Sequence, residues 1–356
     1  MSVRAHPGMS AGDNSATTLE QNAVSAGGEF PRRSERGAGR PVVVTGMPRS
    51  GTSWVGKMLE ASGRLVYINE PLNTQHPPGG SPGVLRAPVR HRFQYITHEN
   101  EQDYLAAFDA LFRLRYHVRA ELATNRSPRD LLRMAKYVSS FVGGRMRRKR
   151  PLLDDPFAVF SAPWLARRFD CAAIVVVRHP AAIAASRKRL GSRTDFSQLL
   201  MQPLLMRDWL EPFRADMEGM LRRPDDVIGH ACLLWRMIYG VMASGRQDSA
   251  GLSVLRHEDL SMDPISAFGR LYARLDLPFG DASRRAITRA STGGDGTSAH
   301  SWSLSRGGIS RTGFRRLDSR SNVNRWKRLL TPAEVARVRK LTDDVASLFY
   351  TPDDWD

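Results

Sequence analysis

The chain has 356 residues, 41% of them hydrophobic, which is enough for a full globular core in one large domain or two modest ones. Lys and Arg outnumber Asp and Glu by 53 to 36, and the formal net charge of +17 favours polyanionic partners such as nucleic acid, acidic lipid, or phosphorylated and sulfated small molecules. The two cysteines, Cys171 and Cys232, lie outside any CxxC pattern, which argues against a disulfide framework or a zinc site and suits a reducing compartment.

The longest apolar run, residues 171–177, is far shorter than the roughly 20 residues that a membrane-spanning helix needs. The N-terminal residues show no charged-then-apolar signal pattern. We therefore expect a cytoplasmic protein.

Residues 1–39 are rich in small and polar residues and predict a disordered tail. The β-branched run at 41–45 is typical of a buried parallel strand. It leads through a turn at 46–51 into a helix at 52–62, and a second strand follows at 65–70. This order predicts a βαβ unit.

Residues 72–150 form a long insertion with helices expected near 101–121 and 128–142, and we expect it to cap the acceptor side of the site. Further strands are predicted near 151–153, 172–178 and 252–256, with helices between them and a last helix at 331–349. Strands separated by helices predict one α/β domain from residue 40 to 356, a three-layer P-loop-like fold with a mostly parallel sheet.

A phosphate-loop skeleton, G-x-x-x-x-G, lies between the first strand and helix as Gly-Met-Pro-Arg-Ser-Gly at 46–51. Free backbone N–H groups and the positive helix end cradle a phosphate in such loops. The Lys of nucleoside-triphosphate loops is absent, and Thr52 stands in its place. A loop without that Lys but with Arg49 suits a donor that has one bridging phosphate and a terminal transferable group. The alternative is a glycine-rich turn without a ligand.

A second anion site is predicted where Arg178 ends a buried strand, because ligand clefts in open α/β sheets lie at those carboxyl ends. Ser186 follows near the second turn of the next helix, where its hydroxyl can join Arg178 on one phosphate. Alone, such a pair is more often a surface Arg and an incidental helical Ser. The Arg178 and Ser186 pair indicates an anion site only in combination with the phosphate loop.

Together the two patterns resemble the PAPS-dependent sulfotransferase superfamily. Its 5′-phosphosulfate loop is similar to Pro-Arg-Ser-Gly-Thr-Ser-Trp at 48–54, and its 3′-phosphate motif is similar to Val-Arg-His-Pro at 177–180 with Ser186. An Arg in the loop, where the small-molecule cytosolic branch has Lys, is similar to the carbohydrate and tyrosylprotein branches. Residues 322–326 resemble the closing segment of the family, and 306–308 more weakly its nucleotide-covering loop.

The resemblance implies PAPS as the donor, PAP as the product, a hydroxyl-bearing acceptor and no metal. It implies that the transferred sulfuryl group is stabilised by Arg49. It also implies a donor-binding set that consists of Arg49, Ser50, Gly51, Thr52, Ser53, Trp54, Arg178 and Ser186.

Glu70, at the end of the second strand, corresponds in the resemblance to the general base of those branches. Topology favours the same role, because Glu70 and the loop with Arg49 both follow strands and should face one cleft. The alternatives are a Glu that caps a strand at the surface, or a base from His76, His91 or His98, none of which has metal-ligand spacing.

The related branches often carry Lys-Asp-Pro-Phe after the third strand, and here Asp154 stands at the Lys position. Three explanations remain open: another cation such as Arg150 compensates, turnover is slow, or the register differs.

The basic run at 145–150 lacks interleaved aromatic residues, so no nucleic acid partner is expected, while peripheral contact with an anionic membrane is left open.

A carbohydrate, glycolipid or secondary-metabolite acceptor is expected. One rival class is a P-loop kinase, disfavoured by the missing Lys and by the lack of an evident acidic strand end for Mg²⁺ near the loop. A non-catalytic polyanion-binding protein would explain the charge but not two anion sites.

Overall fold

The structure, a computed structural model, describes residues 39–74, 81–244, 251–291 and 322–356. The sheet in these residues has five strands in the order β2-β3-β1-β4-β5, and every pair is parallel. This confirms the predicted α/β fold with a mostly parallel sheet. The strands are β1 (Val42–Gly46), β2 (Leu65–Asn69), β3 (Arg150–Asp154), β4 (Ala172–Val177) and β5 (Leu252–Arg256).

Helices follow nearly every strand. Before β4 they are α1 (Thr52–Glu60), α2 (Gln102–Phe112), α3 (Val118–Thr124), α4 (Pro128–Met146) and α5 (Ala162–Phe169). After β4 they are α6 (Pro180–Leu190), α7 (Ser197–Leu200), α8 (Pro203–Leu205), α9 (Arg214–Leu221), α10 (Val227–Ala243), α11 (His257–Met262), α12 (Pro264–Arg274), α13 (Asp281–Ser291) and α14 (Pro332–Ala346). Short 3₁₀-helices cover Pro156–Ser161, Glu211–Phe213, Arg325–Arg328 and Pro352–Trp355, and a short π-helix covers Met206–Leu210. No helix in the described ranges is both long and apolar enough to cross a bilayer.

The two faces of the sheet have separate cores because successive strand residues point to opposite sides. Val43 and Val175 belong to the cluster that holds the buried side of α10. Val44 and Ile174 belong to the cluster that holds α1 and α12. The fold therefore has three layers, with the sheet buried between two layers of helices.

Strand β3 lies between β1 and β2, so the two strands of the predicted βαβ unit are not neighbours. Leu152 in β3 is paired with Val42 on one side and with Tyr67 on the other. The carboxyl ends of β1, β2 and β3 therefore lie side by side. The phosphate loop follows β1, Glu70 follows β2, and two acidic residues, Asp154 and Asp155, lie at the end of β3.

Asp155 connects these three strand ends. Its backbone N–H donates to Val44 O at 2.9 Å, and its carbonyl accepts from Thr45 Oγ1 at 2.7 Å. Its carboxylate accepts from the backbone N–H of Leu72 at 2.6 Å and from that of Phe157 at 2.8 Å. The Asp155 side chain is fully buried, so it satisfies two amides that water cannot reach.

Replacing Asp155 with Ala should destabilise the fold by roughly 2–6 kcal/mol, because two buried amides lose their acceptor at roughly 1–3 kcal/mol each. Urea unfolding measures the change. The control is Asp225→Ala, whose side chain is 94% exposed, and it should change the stability by less than about 0.5 kcal/mol. Equal effects of the two substitutions would contradict the connecting role of Asp155.

Candidate functional site

The phosphate loop leaves β1 through left-handed backbone. Gly46, Arg49 and Gly51 have φ values of 147°, 83° and 103°. A Cβ at Gly46 would overlap the carbonyl oxygen of Val176, and one at Gly51 would overlap the imidazole of His257. Gly51 is also the N-cap of α1 and supplies no side-chain acceptor, so the first N–H groups of this helix are left for a ligand.

The loop is fastened to β4 by Tyr239 of α10. The Tyr239 hydroxyl accepts from the Met47 N–H at 3.1 Å and donates to Val176 O at 2.8 Å. Burial raises the pKa of Tyr239, so the hydroxyl keeps its proton. This role could not be predicted from the sequence, because Tyr239 lies inside an apolar helical run without any motif.

Arg49 and Arg178 converge on the start of α6. Arg49 Nε donates to Ser186 Oγ at 3.1 Å, and Arg178 Nη1 donates to the carbonyl of Arg49 at 3.1 Å. The sequence-predicted loop and second anion site are thus brought together. The Arg178 Nε and Ser50 Oγ atoms are buried without a hydrogen-bond partner. Buried polar atoms without partners are rare in folded proteins, and Arg178 belongs to the lining of the cavity where an anion is expected, whereas Ser50 lies close to Tyr239.

A small cavity of about 50 Å³ lies between these side chains and the chain after residue 321. Its charged lining consists of Arg49, Arg178, Arg189 and Arg325, with Ser186 beside them and no acidic residue. Burial lowers the pKa of Arg49, and the nearby charge of Arg189 lowers it further. Four guanidinium groups around one cavity repel each other unless an anion lies between them.

Trp326 fixes the segment that closes this cavity. Its ring stacks on His179 with centroids 5.1 Å apart and an interplanar angle of 12°, and Tyr350 and Trp355 contact the same imidazole edge-on. Burial lowers the pKa of His179 to about 3, so the ring is neutral. The resemblance at 322–326 therefore falls on residues that contact the predicted site, whereas 306–308 lie outside the described residues.

Glu70 is buried, with 6% of its surface exposed. The alternative of a Glu that caps a strand at the surface is therefore wrong. Its backbone has a left-handed φ of 45°, and its N–H donates to Asp154 O at 2.7 Å. Asn73 Nδ2 donates to Glu70 Oε2 at 2.6 Å. Burial raises the pKa of Glu70, while the Asn73 bond and the charge of Arg92 act in the opposite direction.

Asp154 is fully buried beneath the first turn of α1. The Tyr67 hydroxyl donates to Asp154 Oδ2, and burial raises the pKa of Asp154 to about 6. Oδ1 accepts no hydrogen bond, although Thr52 and Ser53 lie near enough to favour the charged form. An acidic strand end does lie beside the loop, which corrects the sequence-based argument against a kinase. Strand β3 covers Arg150–Asp154, close to the strand predicted near 151–153.

Arg150 does not compensate for the missing Lys. The suggestion that Arg150 offsets the charge of Asp154 is therefore wrong. It begins β3, at the other end of the sheet, and its guanidinium donates to Arg40 O and Leu275 O, both at 2.6 Å. The cation that faces Glu70 is Arg92, whose Cζ lies 4.8 Å from the centroid of the Phe157 ring. Arg92 Nε is buried without a hydrogen-bond partner.

Sequence reasoning missed Arg92 because it lies in an irregular segment without a motif. His91 and His98 flank this segment, and no hydrogen bond in the described part of the chain joins their rings to the loop or to Glu70. His76 lies outside the described residues. No group of three or more His, Cys, Asp or Glu side chains within the described ranges could hold a metal ion.

The profile of the sulfotransferase family matches residues 41–281, more than half of the chain, and the chain therefore belongs to this family. A sulfotransferase domain from the curacin biosynthetic pathway is 16% identical, with 85% of this chain and 96% of that chain covered and a TM-score of 0.40. Sulfotransferase STF9 from Mycobacterium avium is 15% identical over 88% of this chain and 77% of its own, with a TM-score of 0.39.

The mouse sulfotransferase SULT7A1, complexed with PAP, is 12% identical over 87% of each chain, with a TM-score of 0.37. At these identities and TM-scores, the three structures carry no weight for the site. The comparison with curated protein sequences gives no match.

Proposed function

We propose that this protein transfers the sulfuryl group of PAPS to an acceptor hydroxyl and releases PAP. The observation that carries the proposal is a helix-start anion loop without the triphosphate Lys, directly joined to a cavity lined by four arginines. PAPS has two separate anionic ends, a 5′-phosphosulfate and a 3′-phosphate, and the two sites match this arrangement. The unpartnered donor Arg178 Nε supports it.

In the proposed complex, the backbone and hydroxyls of Gly51, Thr52 and Ser53 hold the 5′-phosphosulfate at the positive end of α1. Arg178 and Ser186 hold the 3′-phosphate. Trp54 lies next in the loop helix with its ring 5.3 Å from that of His257, and its buried Nε1 has no hydrogen-bond partner.

Glu70 is the proposed general base. It accepts the proton of the acceptor hydroxyl, the oxygen attacks sulfur, a new S–O bond forms, and the bond from sulfur to the bridging oxygen of PAP breaks. Burial raises the pKa of Glu70, which strengthens it as a base. Glu70 is a buried non-glycine residue with a left-handed backbone. Such strained conformations cluster at functional sites in folded proteins.

Arg49 has two open roles. Its guanidinium is bonded to Ser186, which makes it a third ligand of the 3′-phosphate. Stabilising the sulfuryl oxygens, as the family resemblance implies, requires the side chain to rotate when the donor binds.

Arg92 is the proposed replacement for the missing Lys. Its positive charge acts against the effect of burial on the pKa of Glu70 and so favours the ionised carboxylate. Three other titratable groups, Asp154, Asp155 and Tyr137, lie close by; burial raises the pKa of each, and the charge of Glu70 raises it further.

A P-loop kinase is the second candidate, favoured by the position of Asp154 beside Thr52. Against it stand the missing Lys and the raised pKa of Asp154, whose carboxylate is already bonded to Tyr67.

For the location we propose the cytoplasm, because Cys171 and Cys232 are both free and buried. The proposed acceptor is a carbohydrate, glycolipid or secondary-metabolite hydroxyl, reached beneath the insertion at 72–150, within a single domain from residue 40 onward.

The 3′-phosphate should dominate nucleotide affinity. Charge-assisted bonds contribute roughly 1.5–3 kcal/mol, so PAP should bind at least about tenfold more tightly than AMP, without Mg²⁺. Isothermal titration measures both, and Arg178→Gln should remove the preference while Arg168→Gln, an exposed arginine on α5, keeps it. Equal affinity for PAP and AMP would contradict the 3′-site, and Mg²⁺-dependent ATP binding would favour the kinase.

Glu70→Gln keeps the shape of the side chain but removes its basicity. The kcat for sulfuryl transfer should fall roughly 10²–10⁴-fold, with PAP affinity nearly unchanged. Glu60→Gln, on the exposed end of α1, is the matched control and should retain activity. An active Glu70→Gln enzyme, together with an inactive His91→Asn or His98→Asn variant, would move the role of base to that histidine.

Arg92→Gln should shift the pH profile of kcat/KM. The charge of Arg92 lowers the pKa of Glu70 against the effect of burial, so its removal raises that pKa further. Since Glu70 works in its ionised form, the acid limb should move to higher pH, and activity should recover as pH rises. Arg207→Gln, which removes an exposed cation paired with Glu99, should leave the acid limb of the kcat/KM profile at the same pH. A uniform loss at every pH would contradict a role through Glu70.

A further inference from the structure

The outer face of α4 is an exposed apolar stripe. Leu132, Ala135, Ser139, Val142 and Met146 recur at intervals of three and four residues, which places them along one side of the helix. All five are exposed. Leu132 and Met146 retain 74% and 79% of their surface, which makes them the most exposed large hydrophobic side chains among the described residues.

The opposite side of α4 is already packed. Phe141 is fully buried, and its ring contacts Tyr116 and Tyr137 edge-on at 5.8 Å and 6.3 Å. A Cβ at Gly144 would overlap Val66 of β2, so the helix lies close against the sheet. Because the inner face is satisfied by the core, the stripe on the outer face is not a misplaced part of it.

The surface around the stripe is strongly basic. Residues 118–150 contain ten Lys and Arg but only two acidic residues. Glu121 is fully buried, and Asp130 is bonded to Ser127 in the helix cap and paired with Arg133 at 2.8 Å. Neither acid offsets the exposed cations. Four arginines that flank or follow the stripe are exposed, and they are Arg129, Arg145, Arg147 and Arg148.

We propose that α4 docks this protein on an anionic lipid bilayer. The apolar stripe enters the boundary between headgroups and acyl chains, and the flanking arginines contact lipid phosphates. A second copy of the chain would fit the stripe but would bring the same arginines face to face across a twofold axis. Charge complementarity therefore selects the anionic surface. The proposal does not rest on the reaction that we propose.

Vesicle co-sedimentation of the full chain tests the proposal, with phosphatidylcholine vesicles that either contain or lack phosphatidylglycerol. The protein should bind only the anionic vesicles, and added salt should weaken binding. Leu132→Ser/Met146→Ser should abolish most binding. Arg145→Gln/Arg147→Gln/Arg148→Gln should weaken it about 100-fold, at roughly fivefold for each cation.

The matched control is Met201→Ser/Met262→Ser, which removes two methionines that are 62% and 55% exposed elsewhere on the surface. It should bind like the unchanged protein. Thermal unfolding and PAP titration of each variant separate loss of membrane contact from loss of folding or of the donor site. The proposal is overturned if the protein ignores anionic vesicles, binds neutral ones equally, or retains binding in the Leu132→Ser/Met146→Ser variant. A concentration-dependent dimer that this variant abolishes would assign the stripe to a second copy and overturn it too.

Discussion

The arrangement of the whole site depends on one buried carboxylate, that of Asp155. It accepts the amides of Leu72 and Phe157, while the backbone of the same residue is bonded to β1 at Val44 and Thr45. The turn that carries Glu70 and the strand that carries the phosphate loop are thereby held to one residue of β3. Because interiors are closely packed and do not deform continuously, the distance between loop and Glu70 is set by the register of three strands.

Buried acids and arginines lie on both sides of the loop. Glu70 and Asp154 lie on the β2 and β3 side, where Arg92 interacts with Glu70, and the arginine-lined cavity lies on the β4 side, where the buried Glu258 interacts with Arg178. In the proposed reaction, both anionic ends of the donor lie near cations, and the proton of the acceptor leaves toward Glu70. Fixed charges that need no rearrangement during the reaction are the most effective way for a protein to stabilise developing charge.

The sequence predicted those parts of the fold that depend on local chemistry. Buried strands follow from β-branched runs, and α6 begins at Pro180 and ends before Gly191, whose φ is 58°, as the residues at its ends indicate. The order of strands depends on pairing over long sequence separations, so the insertion of β3 between β1 and β2 could not be read from local patterns. The cationic partner of Glu70 was missed for the same reason. Arg92 has no motif, and Arg150, which is near Asp154 in sequence, lies at the other end of β3.

The closing of the cavity by Trp326 also has a consequence for biosynthesis. The sheet and the phosphate loop are complete once residue 256 has been added, but the cavity wall and the aromatic contacts on His179 come from residues 322–355. Chains grow at roughly 5–20 residues per second and their earlier parts fold first. A nascent chain therefore carries an open, arginine-lined cleft for the several seconds that separate the synthesis of residue 256 from that of residue 322, and the wall of the cavity forms only after residues 322–355 have been added.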